Sequence, residues 1–320
     1  MYSTFGCMLA TLVMKLNPIH RNLSRLEMKN IRDFFSSDLI SPLQRRTIGR
    51  VRAFWMTLFQ AVRRTARLTR SARQDYYALQ RQGCFVADEL PQPTAQCVAN
   101  AEGRLPVLIV PGLNTPPVFF REMQAYFTER RFPTFVMDLP KGGLAEIAAS
   151  ADALREEVAR VMQLCGATQV NIVGHCLGGL IAHYWLEHAP FPHGRPDVPP
   201  VKNLVSLGTG YMGAAGVRQL KQLWAERNAG KTIPSVFDEL VEAQMNRVHH
   251  SRETARHSLL TIWDFMVHFR KGILDARGVG DNVVSNVILD DPDIDHLTLA
   301  LNPKVFQRIE SILAPGMATA

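Results

Sequence analysis

The stretch Val170 to Gly179, reading VNIVGHCLGG, limits what this chain can fold into more than any other segment. A short strand pattern, Val170 to Val173, runs into Gly174-x-Cys176-x-Gly178. A helical pattern, Leu177 to Glu187, follows at once. A side chain on so sharp a strand-to-helix turn projects above a sheet. The residues two before and two after it come close together there, so both must be small, and Gly174 and Gly178 meet that need. The helix N-terminus just past Cys176 favours a thiolate and an oxyanion. Cys176 therefore reads as a nucleophile, with a buried, inert cysteine as the bland alternative. A dinucleotide fingerprint would put glycine where Cys176 stands, and a phosphate loop needs Gly-Lys-Ser/Thr, which is absent. His175 is expected to face away from a substrate and is given no catalytic role.

The elbow lies within a longer alternation. Val107 to Val110 reads as a strand, Val118 to Arg130 as a helix, and Thr134 to Met137 as a strand ending at Asp138. Ala145 to Cys165 reads as a long helix, and Leu204 to Leu207 as the strand after the elbow helix. Strands alternating with helices imply a mostly parallel, doubly wound sheet. Residues 210–257 break the rhythm with polar helical patterns and read as a helical cap insertion. The alternation resumes with strands at Leu259 to Trp263 and Val283 to Leu289, then a closing helix from Pro303 to Leu313. A chain of 320 residues suffices for one large α/β domain.

The net charge of +7 belongs to the front of the chain. Residues 1–80 carry fourteen Lys/Arg and four Asp/Glu, whereas residues 81–320 carry slightly more acid than base. The expected organisation is a basic N-terminal arm, 1–80, ahead of a domain at 81–320. Within the arm, Val51, Phe54, Trp55, Leu58, Phe59 and Val62 recur at helical spacing, and arginines flank them. Two readings stand side by side. The segment at 50–70 lies on an anionic membrane surface, or its stripe packs on the main domain. No recognition motif accompanies the charge, so no nucleic-acid partner is expected. No run approaches the roughly 20 apolar residues of a membrane span. Five cysteines at spacings without a zinc pattern fit free thiols in a reducing compartment, which makes a cytoplasmic location the expectation.

From Leu105 to His188 the chain resembles bacterial α/β-hydrolases of the triacylglycerol lipase type. Pro106 to Leu113 (PVLIVPGL) is similar to their first conserved strand and oxyanion loop, with Pro111 in place of the usual histidine. Val170 to Gly179 is similar to their Gly-His-Ser-x-Gly-Gly box, with Cys176 in place of serine. Leu207 to Gly210 (LGTG) resembles their Leu-Gly-Thr-Pro, and Leu260 to Leu313 resembles their acid and histidine region. Two related families, polyhydroxyalkanoate synthases and dienelactone hydrolases, carry Gly-x-Cys-x-Gly-Gly. The resemblance implies an α/β-hydrolase fold and excludes residues 1–80 and the insertion.

A nucleophile in this fold is followed in the chain by an acid and then a histidine. His296, after the last strand and before the closing helix, is the expected base. Asp264, ending a strand and followed by Val267, is the favoured acid. Asp281, also in an Asp-x-x-Val setting, is the alternative. The expected oxyanion donors are the backbone amides of Leu177 and Leu113. Asp291, Asp293 and Asp295 alternate like calcium ligands, but His296 stands where the loop needs glycine, so no metal is expected. No cofactor is implied. The expected chemistry is acyl transfer from a hydrophobic ester or thioester through an acyl-enzyme on Cys176, ending in hydrolysis or in transfer to another acceptor. A hydrolase-like binding protein without turnover is the third reading.

Overall fold

All four residues of β1, Val107–Val110, are apolar and buried. Successive side chains of a strand point to opposite faces, so such a strand needs cover on both sides. The computed structural model supplies it; residues 90, 92–99, 101, 103–188, 199–248, 253–277 and 284–314 are described. The basic arm, including 50–70, and Asp281 lie outside these residues.

The strands are β1, β2 (Thr134–Val136), β3 (Val170–His175), β4 (Val201–Leu207), β5 (Ala255–Thr261) and β6 (Val284–Leu289). They form one sheet in the order β2-β1-β3-β4-β5-β6. Every pairing is parallel. The helices are α1 (Ala95–Ala99), α2 (Arg121–Glu129), α3 (Ile147–Cys165), α4 (Leu177–His188), α5 (Val217–Arg227), α6 (Val236–Glu242) and α7 (Pro303–Leu313). Leu108, Val110, Ile172 and Leu204 share a core with Leu154 and Val158 of α3 and Leu180 and Ile181 of α4. Val107, Ile109, Val173 and Val205 share the opposite core with Met123 and Phe127 of α2 and Val305, Phe306 and Ile309 of α7. The sheet is thus covered on both faces, as the alternation implies.

The elements differ from the sequence reading mainly at their ends. α7 has the expected bounds, because Asn302 accepts the Lys304 N–H at 2.9 Å and Pro303 needs no partner at the first position. β5 starts four residues early, at Ala255, and ends at Thr261. Pairing with β4 and β6 sets its length, whereas Ile262 and Trp263 turn out to solvent. The insertion therefore ends before Ala255. It is also less polar than its composition: Tyr211, Val217, Val236, Phe237 and Leu240 are buried in the core with α3 and α4. Its Glu239 accepts the Ile147 N–H at 3.0 Å, capping α3, whose own Glu146 makes no capping bond. Among the described residues, no helix is long and apolar enough to cross a membrane.

After β1 the chain moves to β2 on one side, then to β3 on the other. That reversal opens a crevice outside the carboxyl ends of β1 and β3, the usual place for a site in such sheets.

Candidate active site

Cys176 stands at that crevice, between β3 and α4, with φ +52°. A left-handed backbone costs a non-glycine residue roughly 1–2 kcal/mol, so the neighbours must hold it there. The Cys176 N–H donates to the Leu207 carbonyl at 2.9 Å. Its carbonyl accepts the buried Thr209 hydroxyl at 3.0 Å. The glycines are needed for close approach, as expected: a Cβ on Gly174 would lie 2.8 Å from the Gly178 carbonyl carbon. It would also lie 2.5 Å from the Gly179 nitrogen, and a Cβ on Gly178 would strike the Val110 and Pro111 carbonyls of the β1 strand and loop. Gly179 is closed in by Thr209 in the same way. Thr209 and Gly179 were not singled out from sequence. Their only signal is the small-residue composition of LGTG and of the second glycine after Cys176.

His296 lies in the loop between β6 and α7. Asp295 shapes that loop: its Oδ1 accepts the Leu297 and Thr298 N–H groups at 3.1 and 3.0 Å, and its own N–H donates to the Thr298 hydroxyl at 2.6 Å. The other aspartates of the alternating run also serve the turn. Asp291 accepts the Asp293 N–H at 2.9 Å and pairs with Lys304 at 2.7 Å. Among the described residues, no group of three or more His, Cys, Asp or Glu is placed to hold a metal ion.

Asp264 follows β5. Its Oδ1 accepts the Met266 and Val267 N–H groups at 2.8 and 2.7 Å, which fixes the carboxylate plane. Its Oδ2 lies 2.7 Å from Nδ1 of His296, and both side chains are buried. An ionised carboxylate only accepts, so Nδ1 carries a proton and donates it to Asp264. Burial alone would lower the His296 pKa. The charges of Asp264 and Cys176 and their hydrogen bonds to the ring outweigh it and hold His296 well above the ordinary imidazole range. Asp264 and His296 are joined by this hydrogen bond, and Cys176 lies close enough for its charge to act on the ring. Gly208, with φ +58°, makes room for the pair: a Cβ there would lie 3.0 Å from Asp264 Oδ2 and 3.1 Å from His296 Nδ1.

The two expected oxyanion donors flank Cys176. Leu177 is the first residue of α4, so its N–H has no intrahelical acceptor. Leu113 follows Gly112, where an added Cβ would approach Cys176 Cβ to 3.2 Å. Asn114, next in the loop, takes a left-handed φ of +51°, which asparagine tolerates.

His175 is buried, and its Nε2 lies 2.9 Å from the His296 carbonyl oxygen, so it faces the base loop.

The profile of a family described as alpha/beta hydrolase fold matches residues 106–269. No curated protein matches the sequence. Among solved structures, the chain is similar to the Bacillus licheniformis lipase BlEst2 in mature form, at 15% identity and a TM-score of 0.49, covering 66% of this chain and 92% of that one. It is similar to Aspergillus fumigatus lipase B at 15% identity and a TM-score of 0.46, covering 65% of this chain and 51% of that one. For the propionate-bound Est2 esterase of Thermogutta terrifontis the values are 15% and 0.43, with 67% and 84% covered.

Proposed function

The chain belongs to the alpha/beta hydrolase fold family, and from that premise we propose that it is a lipase- or esterase-like hydrolase of ester or thioester bonds that uses Cys176 as nucleophile. The observation that supports this most is the buried Asp264–His296 pair at 2.7 Å, with Cys176 near enough for its charge to act on the His296 ring. In this reading His296 holds the proton given up by the Cys176 thiol, and the thiolate attacks the substrate carbonyl carbon. The tetrahedral oxyanion is held by the Leu113 and Leu177 amides. The imidazolium gives its proton to the departing alkoxide or thiolate, leaving an acyl thioester on Cys176. Water, deprotonated by His296, attacks that thioester and releases the acid and the free thiol. The Gly-x-Cys-x-Gly-Gly box, shared with polyhydroxyalkanoate synthases and dienelactone hydrolases, supports a second ending. A thioester intermediate suits transfer, with an alcohol or thiol acceptor in place of water.

The test is turnover of short and long p-nitrophenyl esters by wild type, Cys176→Ala and His296→Ala, with mass spectrometry of the quenched enzyme. Both variants should lose activity, and wild type should carry an acyl group on Cys176. Full activity in Cys176→Ala would overturn the mechanism. Product partition with added alcohol separates hydrolysis from transfer. Absence of both acylation and turnover across ester and thioester panels would favour a binding protein. The basic, apolar-striped segment at 50–70 suits an anionic bilayer that presents hydrophobic acyl substrates. Deleting residues 1–75 should then abolish binding to anionic liposomes.

A further inference from the structure

His175 ends β3, directly before the nucleophile. Its ring is buried against Phe119 and Phe120, at centroid distances of 6.4 and 5.9 Å, and lies 5.0 Å from the His296 ring. A carbonyl oxygen only accepts, so Nε2, 2.9 Å from the His296 carbonyl, carries the proton. Nδ1 is then a bare lone pair with no partner among the described residues. It packs under the loop after β1, where a Cβ on Gly112 would approach it to 3.1 Å.

We propose that His175 is a positioning residue: its Nε2–H fixes the backbone carbonyl of His296, and its ring wedges the Gly112 loop against the elbow. One side chain thereby joins the nucleophile, the base loop and the oxyanion loop. This rests on the Cys176–His296–Asp264 reading above. The ring stays neutral in the role, because burial and then the adjacent His296 push its pKa down to about 3. The titratable groups around it are Cys176 on its own turn and His296 from the β6–α7 loop, with Asp264 behind His296. A neutral donor holds His296 without opposing the imidazolium that the reaction needs.

The test uses the full chain and two variants of like length, His175→Gln with a donor and His175→Met without. The readout is the pH dependence of iodoacetamide alkylation at Cys176, resolved by site. Cys165, whose thiol burial pushes up to about 11, is the slow reference. Wild-type Cys176 should react faster than Cys165 across the profile. His175→Met should react about tenfold more slowly near pH 6 and its profile should move up by about one pH unit, which is the same free-energy change read twice. His175→Gln should recover most of both. If Met and Gln superimpose on wild type, or lose rate equally with unmoved profiles, the inference is wrong. Should His175→Met fail to fold, His175→Phe, which keeps a ring without the donor, replaces it against Gln. If wild-type Cys176 is no faster than Cys165, or His296→Ala leaves it unchanged, the underlying Cys–His–Asp reading fails and this inference with it.

Discussion

Replacing Gly208 by alanine should damage the candidate site and the fold by separable amounts. Gly208 has φ +58°, so any L side chain pays for a left-handed backbone, roughly 1–2 kcal/mol. Its new Cβ would also sit 3.0 Å from Asp264 Oδ2, 3.1 Å from His296 Nδ1 and 3.1 Å from Leu299 Cδ1. Carbon–oxygen contact is comfortable near ~3.5 Å, so several tenths of an ångström must be found inside a 2.7 Å hydrogen bond between buried groups. Gly166 supplies the control. It ends α3 at φ +59°, and a Cβ there meets nothing within 4 Å. Gly166→Ala therefore carries the backbone strain alone.

The expected outcome is a loss of about 1 kcal/mol for Gly166→Ala, a fall of ~2 °C in melting temperature, with ester turnover and Cys176 alkylation unchanged. Gly208→Ala should lose about 2–3 kcal/mol, the excess being the clash. Its turnover should fall on the order of 10²-fold, because displacing a reacting group by part of an ångström costs that much. Thermal denaturation and p-nitrophenyl ester kinetics on the two variants are sufficient. Equal melting temperatures with wild-type turnover in Gly208→Ala would refute the claim that this glycine makes room for the Asp264–His296 pair.

Asp264→Asn removes the charge that holds His296 above the ordinary imidazole range. Cys176 alkylation near pH 6 and ester turnover should both fall by at least ~10²-fold, while the fold survives by circular dichroism. His175 and His183 are buried, each with its pKa lowered to about 3 mainly by burial. The unfolded chain binds their protons below about 6.5 and the native state refuses them, so stability falls as pH drops through the window from 6.5 to 3. The loss should reach roughly 2 kcal/mol for each histidine by pH 5, read as urea midpoints at pH 7 and 5. His296 shifts upward, so it opposes this loss as pH falls from 7 to about 5.5 and adds no slope once both states are protonated. A flat midpoint would count against both buried neutral rings. Arg256 and Glu187 are buried and paired at 2.6 Å. Glu187→Gln should cost about 3–5 kcal/mol, whereas Glu187→Leu with Arg256→Met should recover most of it, measured by chemical denaturation.

What sequence could and could not show divides along a physical line. Apolar periodicity is a local property, and it marks the strands and the closing helix, most clearly where a strand is buried throughout, as β1, β2 and β3 are; β6, at the sheet edge, is only partly buried. Ends were harder. β5 runs back to Ala255 because its neighbours pair that far, and a lone segment does not reveal its neighbours' length. The chemistry-bearing positions were legible where the backbone itself is unusual: an elbow needs glycines at 174 and 178, and chain order points to an acid and then His296. Of the two Asp-x-x-Val aspartates, sequence favours Asp264 and keeps Asp281 as the alternative. Asp264 is the one found 2.7 Å from His296, with its second oxygen taken by Met266 and Val267; Asp281 lies outside the described residues. Least legible were the residues that act on the site through another part of the chain. Thr209 holds the Cys176 carbonyl from 33 positions away, and His175 holds the His296 carbonyl from 121. Neither has a pattern of its own, since their partners are main-chain atoms and any sequence supplies those. The same fact makes them informative once the fold is known. A side chain bonded to a backbone carbonyl constrains where that loop sits, so substitutions at 175 and 209 report on the geometry of the site without touching a substrate.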